Sequence, residues 1–421
     1  MTEVTPADAD DTGDTGDTGD TGDIGDTAPL GGLRVAVVGL GVPMETFLDR
    51  LLSGLVARGA SLSVVSRLSP PTDWLGARSA HWRYGPGPRR TRPLARLARA
   101  GGAVPAGRTV GDLVVDRIRG RVGPGDAGWA PRSVGDADVV YVPWINALID
   151  WPELFDAGPP VVTSCRGRMI TVDPWHPSNP DRPAELRAVF DRVERVHCVS
   201  EAMVREAAAF GLRPDRSTVI TPAVDPAAFA PRDGERAPGP VRVVATGSLT
   251  WLKDQEHALR GIRRAVDLGA DIGYQVVGDG VERDRFRFTA GELDLTERVE
   301  LAGRRSPAEV LEHLRAADIF LHTSCTEGIS NAALEAMACG LPVVTTEAGG
   351  MAEAVRHDVD GLLVGVRDPA AVGAALHRLA TEPDTRARLG QAARATIVDR
   401  FRLDHQLDAF GALLLDAAGS R

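Results

Sequence analysis

The chain has 421 residues, 43% of them apolar and 25% charged, which is long enough for two globular domains with a cleft between them. Its formal net charge of −10 comes largely from the first 33 residues, which hold nine acids and no base. The remainder has 49 acids against 48 bases, and such a neutral body gives no support for nucleic acid as the partner.

The N-terminal stretch, residues 1–32, is dominated by the repeat DTGDTGDTGDTGDIGDT. Its triplet period does not match the nonapeptide of calcium-binding β-helices. An aspartic protease loop would need apolar strands on both sides of the Asp-Thr-Gly, and these are absent. Because the stretch has almost no apolar side chains, we predict a disordered acidic tail outside the fold.

Residues 33–222 read as a first α/β domain. The segment LRVAVVGLGVPMETFLDRLLSGLVARGASLSVVSR predicts a buried strand, a glycine-rich turn, an amphipathic helix over residues 46–58 and a second strand. Further strands are predicted at DVVYVPW, PPVVTS and RVHCVS, the last followed by a helix with Ser200 as N-cap and Gly211 at its end. Alternation of strands and helices predicts a parallel sheet.

One segment of this half, residues 71–132, does not follow the alternation. Its first thirty residues hold seven arginines against one acid, interleaved with aromatic residues and prolines. Two interpretations stay open: a solvated irregular excursion, or a basic surface that docks on an anionic membrane lipid or a phosphorylated acceptor.

Residues 223–240 are rich in proline and charge and predict a linker. The pattern restarts over residues 241–402, where VRVVATGS, DIGYQVVGDG, RVELAG, DIFLHTS and LPVVTTEAGG each predict a strand and a turn followed by a helical stretch. Residues 403–421 predict a final helix that packs back on the first domain. The expected fold is therefore two Rossmann-like, doubly wound parallel-sheet domains that face a central cleft.

The stretch TSCTEGISNAALEAMACGLPVV carries the clearest chemistry. Glu327 follows a strand, Ser330 or Asn331 can cap the next helix, and Glu335 lies about 6 Å along it, leaning back toward the same mouth. The helix N-terminus between the two acids can seat a phosphate through its N–H groups. Carboxylates on either side can accept hydrogen bonds from sugar and ribose hydroxyls, which together describe a nucleoside diphosphate sugar.

Lys253, in GSLTWLKD, is the only lysine in the chain; the other 47 cations are arginine. It stands at a strand-to-helix turn, where a compact ammonium fits among phosphate oxygens better than a planar guanidinium does. The alternative, that one lysine survives by chance, stays open.

These segments resemble the E-x7-E signature and nucleotide domain of family 4 glycosyltransferases, which are retaining enzymes of the GT-B fold that use nucleotide-sugar donors without a metal. The likeness covers most of residues 33–405, including TPAVDPAAF, GSLTWLKD, VVGDG, GLPVVTTEAGGMAEAV and DGLLV, and is nearest to polysaccharide-making members. It implies that Glu327 binds the transferred sugar, Glu335 the ribose and Lys253 the diphosphate, with Lys253 and Glu327 as catalytic residues. The donor site that the likeness implies consists of Gly41, Gly247, Ser248, Lys253, Gly278, Arg304, Arg305, Glu327, Gly328, Ile329, Ser330, Asn331 and Glu335.

Some positions depart from the family pattern. Ser248 stands where the family has an arginine on the diphosphate, so either Arg304 or Arg305 substitutes, or the donor is held less tightly. The histidines that often line the sugar pocket are absent from YVPWINAL and TSCRGRM, which leaves the histidine role unassigned. The acceptor or sugar pocket is expected to use Glu45, Trp144, Asn146 and Arg166.

The sequence thus predicts a retaining transfer of a sugar from a nucleoside diphosphate sugar to a hydroxyl of a glycan, a lipid-linked molecule or a small molecule, with no cofactor or metal. An epimerase or hydrolase of the same fold, and a non-catalytic sensor of sugar nucleotides, remain as alternatives. Four widely spaced cysteines, no apolar run near 20 residues and no signal peptide favour a cytoplasmic protein, peripheral to the membrane if residues 71–100 bind lipid.

Overall fold

The computed structural model describes residues 29–40, 44–66, 80–84, 134–234 and 239–420. Most of the predicted tail, most of the basic excursion and the candidate Gly41 lie outside the described residues. The predictions made for them stay predictions.

The first domain is built on a seven-stranded parallel sheet of order β3-β2-β1-β4-β5-β6-β7. Its strands are β1 (Arg34–Val38), β2 (Ser61–Ser66), β3 (Ala80–Tyr84), β4 (Val139–Val142), β5 (Val161–Cys165), β6 (Arg195–Cys198) and β7 (Ser217–Val219). Its helices are α1 (Thr46–Ala57), α2 (Asn146–Asp150), α3 (Arg168–Thr171), α4 (Arg182–Arg192) and α5 (Glu201–Ala208).

The second domain has a six-stranded parallel sheet of order β10-β9-β8-β11-β12-β13. Its strands are β8 (Val241–Thr246), β9 (Ile272–Val277), β10 (Val299–Gly303), β11 (Ile319–His322), β12 (Val343–Thr346) and β13 (Gly361–Val364). Its helices are α6 (Gln255–Asp267), α7 (Arg283–Glu292), α8 (Pro307–Ala316), α9 (Asn331–Ala338), α10 (Met351–Ala354), α11 (Pro369–Thr381) and α12 (Pro383–Arg400), and α13 (Leu403–Gly419) follows.

Both sheets reverse their strand order beside the first strand of the domain, as doubly wound folds do. The central strands β4, β5, β11 and β12 are buried along their whole length, which is why each begins with consecutive apolar residues instead of alternating apolar and polar ones. Ligand sites in such sheets lie off the carboxyl ends of the strands, and those ends carry the predicted site residues.

The last helix returns to the first domain. At Gly54 of α1 an added Cβ would stand 2.4 Å from the Leu407 side chain of α13, so that side chain packs directly on the backbone of α1. Phe410 of α13 is fully buried, with ring centroids 5.7 Å from Tyr141 and 4.6 Å from His197. The carboxyl terminus of the chain therefore completes the core of the amino-terminal domain.

The two places where the chain crosses between domains lie side by side. The Val224 N–H donates to the Phe401 carbonyl (2.9 Å), and the Leu403 N–H donates to the Val224 carbonyl (3.1 Å). Most of the stretch predicted as a linker is docked on the second domain, because Val224 and Phe229 are buried in its core and Arg394 bonds the Phe229 carbonyl. The two crossing segments are therefore joined to each other by two backbone hydrogen bonds.

Three strands escape the sequence prediction: β3, the three-residue β7 and β13. Residues 80–84 form β3, paired in parallel with β2, within the stretch expected to be irregular. Their mixed charged and aromatic sequence, AHWRY, lacks the apolar pattern of the buried strands. Strand β13, in DGLLV, is only four residues long and gave no strand signal of its own.

Candidate functional site

Glycines bring three neighbouring strand ends of the second domain into contact. Gly247, after β8, has a φ of 139°, and a Cβ at Gly278, after β9, would stand 1.8 Å from the Gly247 carbonyl oxygen. Gly278 in turn forms an isolated bridge with Gly303 at the end of β10. A residue larger than glycine would not fit at Gly278. Because of this close approach, the loop from Gly247 to Lys253 lies across the ends of these strands.

Lys253 is held at the end of that loop. Its N–H donates to the Thr250 carbonyl (3.0 Å), and the hydroxyl of Thr323 donates to the Lys253 carbonyl (3.1 Å). From there its ammonium Nζ reaches Oε2 of Glu327 at 2.6 Å. The only lysine of the chain and the first acid of the E-x7-E motif therefore form one partly buried ion pair.

Glu327 is ionised by its surroundings. Burial would raise the pKa of Glu327, but the charge of Lys253 and the hydrogen bond from His322 hold it well below its usual range. Oε1 has no hydrogen-bond partner among the described residues. One oxygen of a permanently charged carboxylate is thus left to accept hydrogen bonds from a ligand.

His322, at the end of β11, is a site residue that the sequence reasoning missed. Its Nε2 lies 3.0 Å from the Ser324 hydroxyl and 3.5 Å from Oε2 of Glu327, and its Nδ1 lies 3.1 Å from the Thr345 hydroxyl. Burial lowers the pKa of His322, so the ring is neutral at pH 7, and the adjacent carboxylate favours the tautomer with its proton on Nε2. Only its place in DIFLHTS, directly before the motif, could have revealed it.

Helix α9 begins between the two motif acids. Ser330 is its N-cap, accepting from the Ala333 N–H at 3.4 Å, which resolves the choice between Ser330 and Asn331. The Ser330 N–H donates to Sδ of Met351 and is not free. The backbone N–H groups of Gly328 and Ile329 have no partner within the described part of the chain. The predicted anion-binding site, called the anion seat below, therefore consists of these two N–H groups and the first turn of the helix.

Glu335 makes a contact that crosses the cleft. Its Oε1 accepts from Nη2 of Arg50, on α1 of the first domain, at 2.9 Å. Burial raises the pKa of Glu335, and the positive charge of Arg50 opposes that rise. Glu335, the second acid of the motif, therefore forms an ion pair with an arginine of the other domain, which the sequence analysis did not select.

The two domains also touch through backbone. A Cβ at Gly328 would stand 2.6 Å from the Arg166 carbonyl oxygen of the first domain and 2.5 Å from Val199. Nearby, the carboxylate of Glu353, on α10, accepts from the backbone N–H groups of Glu201 and Ala202 at 2.8 and 2.7 Å, capping helix α5 of the opposite domain. The cleft is closed around Gly328.

The first-domain candidates lie at varied places along their own sheet edge. Arg166 donates to the Tyr141 hydroxyl at 2.9 Å and stacks over the Phe47 ring, with 4.8 Å between Cζ and the centroid. Trp144 packs edge-on against the same Phe47, so the structure brings Trp144 and Arg166 together. The Asn146 amide oxygen instead accepts from Arg182 (3.0 Å), and Glu45 stands exposed before α1.

A directional network holds Arg166. His197 Nε2 faces the Ile220 carbonyl at 2.8 Å and must donate to it, so its Nδ1 accepts from the Ser164 hydroxyl at 2.9 Å. Ser164 then accepts from Tyr141 (2.9 Å), which accepts from Arg166. Burial, then the charge of Arg166, lower the pKa of His197, consistent with this neutral ring.

The two arginines predicted to substitute for the missing arginine lie at the same edge of the second sheet as Lys253. Arg304 and Arg305 follow Gly303 and are exposed, and neither forms a salt bridge with another described residue. Ser248 is exposed beside Gly247. Because Gly303 bridges Gly278, both arginines border the same strand ends as Lys253 does, although no contact among the described residues assigns either to a phosphate.

Across the described residues, no cluster of three histidine, cysteine or acidic side chains has a metal-binding arrangement. None of the helices in the described ranges has both the length and the apolarity that a membrane span requires. The four cysteines are free thiols.

Taken together, the edge of the second sheet presents an ammonium, two free N–H groups at a helix start and two carboxylates, each with an oxygen available. Cations and N–H donors stabilise phosphate oxygens, and carboxylates bind hydroxyls. The arrangement can hold an anion flanked by two polyhydroxylated groups.

Two family sequence models match the chain. "Glycosyltransferase Family 4" matches residues 44–228 and "Glycosyl transferases group 1" matches residues 229–396. A D-inositol 3-phosphate glycosyltransferase of Acidothermus cellulolyticus is 34% identical over 233 residues, covering 50% of each protein. The amylovoran biosynthesis glycosyltransferase AmsK of Erwinia amylovora is 29% identical over 219 residues, 51% of this chain and 54% of its own. The chain spans about half the length of these curated relatives.

Solved structures agree on the fold. Anabaena HepE in complex with UDP superposes with a TM-score of 0.70 at 18% identity, over 91% of this chain and 100% of its own. Sucrose-phosphate synthase from Thermosynechococcus elongatus gives a TM-score of 0.71 at 17% identity, over 92% and 100%. The predicted fold, two Rossmann-like domains in the GT-B arrangement, is confirmed.

Proposed function

Because the chain belongs to the family 4 glycosyltransferases, we propose that it moves a sugar from a nucleoside diphosphate sugar to an acceptor hydroxyl, with the anomeric configuration retained. The observation that carries the proposal is the 2.6 Å pair of Lys253 and Glu327 beside the start of α9. It places an ammonium, which can bind the β-phosphate, beside a carboxylate, which can accept hydrogen bonds from hydroxyls of the sugar attached to that phosphate.

The chemistry follows from where charge develops. As the anomeric C–O bond breaks, negative charge grows on the departing β-phosphate. Lys253 Nζ has two N–H donors beyond the one given to Glu327, and the N–H groups of Gly328 and Ile329 lie at the same mouth. Donors fixed before the reaction stabilise this charge more in the transition state than in the ground state, which raises turnover.

Retention fits the residues at hand. The acceptor hydroxyl attacks from the face of the leaving group and passes its proton to a phosphate oxygen, so no protein base is needed. His322 is buried, neutral and directed at Glu327, and we assign it to orienting that carboxylate rather than to proton transfer. Closure of the two domains around Gly328 excludes water and so limits hydrolysis of the donor.

Support for the donor class also comes from HepE, whose solved structures contain UDP and UDP-glucose. The test is therefore a panel of nucleoside diphosphates and their sugars, read by thermal shift. At 100 times Kd the true donor stabilises the protein by about 2.7 kcal/mol. Candidate acceptors then begin with D-inositol 3-phosphate, after the name of one relative, and continue with the glycan and lipid-linked acceptors expected from the sequence.

Three outcomes separate the proposal from its alternatives. Donor that is stable alone but consumed with an acceptor, giving a product of retained configuration by NMR, supports transfer. Consumption of donor without acceptor identifies an epimerase or hydrolase. Tight donor binding without turnover against any acceptor pool identifies a sensor. Either of the last two results would defeat the proposal.

A further inference from the structure

Arg50 is a residue of the first domain whose side chain, among the described residues, makes its hydrogen bond and its ring contact with the second domain. Its Nη2 donates to Glu335 on α9, and its Cζ lies 5.2 Å from the ring centroid of Phe229, which belongs to the core of the second domain. Both members of the ion pair are largely enclosed, with 21% and 15% of their side-chain surfaces exposed. Such a contact exists only while the domains are together.

The carboxylate of Glu335 retains capacity for a ligand. Oε1 accepts from Arg50, and Oε2 has no partner within the described residues. A carboxylate has about four acceptor positions, so a hydroxyl can be added without displacing the guanidinium. With its carboxylate fixed at one oxygen, Glu335 presents the other in a defined direction, which lowers the entropic cost of binding a ligand hydroxyl.

We propose that Arg50 is a positioning residue for the donor ribose: it orients Glu335 and thereby couples recognition of the ribose hydroxyls to closure of the cleft. The inference rests on the proposed function, in which Glu335 binds the ribose. It adds a residue from the opposite domain, so part of the affinity for the nucleotide depends on a contact that the second domain cannot make alone. Removing Arg50 should therefore reduce both the effect of cleft closure on ribose binding and the effect of ribose binding on cleft closure.

A structural salt bridge is the competing explanation, and ribose dependence separates the two. Nucleoside diphosphate and its 2′,3′-dideoxy analogue are titrated calorimetrically into the full chain and into Arg50→Met, Arg50→Lys and Arg58→Met. Arg58 is the matched control: it stands at the other end of α1 and pairs with Asp408 of α13, on the first domain.

We expect Arg50→Met to weaken the ribose-containing nucleotide by about tenfold, the loss of one hydrogen bond to a charged group. The dideoxy analogue should bind Arg50→Met and the native chain equally. Arg50→Lys keeps the charge and should recover part of the loss, and Arg58→Met should retain the full preference for ribose. With a working acceptor, Arg50→Met should raise the donor KM more than it lowers kcat.

The results distinguish this inference from the proposed function. If the native chain binds no nucleoside diphosphate, or prefers the ribose form no more than Glu335→Ala does, the proposed function and the inference both fail. If the native chain discriminates and Arg50→Met discriminates equally, only the inference fails. A loss of the same size for both nucleotides would show a purely structural role. Should Arg50→Met melt well below the native chain, Arg50→Lys alone decides through its ribose preference.

Discussion

Gly328 offers the sharpest test of how the cleft works. A Cβ there would stand 2.5 Å from Val199 and 2.6 Å from the Arg166 carbonyl oxygen, whereas ordinary contacts are 3.4–4 Å. Both atoms belong to the first domain, and the carbonyl is backbone that cannot rotate away. Gly328 has no positive φ, so alanine adds a methyl group without backbone strain.

We therefore expect Gly328→Ala to hold the domains apart by about 1 Å, a displacement that costs on the order of 10²-fold in turnover when it separates reacting groups. Nucleotide affinity should fall by no more than the roughly tenfold that loss of the Arg50 contact explains, because Lys253 and the N–H groups of α9 stay in place.

The assay combines acceptor-dependent donor turnover, calorimetric binding of nucleoside diphosphate and small-angle scattering. Gly291→Ala is the matched control, since a Cβ at this helical glycine meets nothing within 4 Å. Native turnover in Gly328→Ala, or a turnover loss matched by an equal loss of nucleotide affinity, would refute the reasoning. The first result would show that the contact yields freely, and the second that Gly328 acts only through the anion seat.

Further predictions concern other parts of the site and fold. Lys253→Met should lower turnover by about 10²-fold or more, with Lys253→Arg recovering little because its planar fork does not fit the ammonium site; activity equal to the native chain would remove Lys253 from the mechanism. His322→Gln, which keeps a donor near Nε2, should retain more turnover than His322→Asn, and the reverse order would place the proton on Nδ1. Phe410→Ala should cost about 3–5 kcal/mol of unfolding free energy in denaturant, whereas the exposed Leu415→Ala should cost little. Because burial, opposed by Arg50, raises the pKa of Glu335, nucleotide affinity should decline on acidification at a pH above the ordinary glutamate range; calorimetry between pH 5 and 8 checks this, and Arg50→Met should move the decline to higher pH.

Local pattern was enough for much of the fold and for the residues of the second domain's sheet edge. Strands β4, β5, β11 and β12 are buried along their length, and the consecutive apolar residues that burial requires predicted them as strands of a parallel sheet. Ser200 was identifiable as a cap, and Ser330 as one of two candidates, because capping depends on residues three apart in sequence. The family resemblance assigned Lys253 and Glu327 to one pocket, but their 2.6 Å ion pair depends on the pairing of β8 with β11, which the sequence analysis did not predict.

Some features depend on neighbours that are distant in the sequence, and these could not be predicted from local sequence pattern. His322 lies in an apolar strand, where a histidine reads as a core residue until its neighbours Ser324, Thr345 and Glu327 are placed around it. Strand β3 alternates apolar or aromatic residues with basic ones, but over only five residues inside a stretch rich in arginine and proline, so the pattern was too short to mark a strand. The roles predicted for Arg304 and Arg305 stay predictions.

The contacts between the domains were beyond the sequence for a different reason. Arg50 and Glu335 are 285 positions apart, and their meeting depends on how two separately folded units close, which no periodicity encodes. Gly328 illustrates the consequence: its motif position before α9 is the basis for proposing that its N–H binds a phosphate, whereas the 2.6 Å distance from a Cβ to the Arg166 carbonyl oxygen explains why a side chain does not fit. One glycine therefore meets two independent demands, the proposed anion binding within its own domain and the close approach of the other domain, and a substitution that satisfies the first can still break the second.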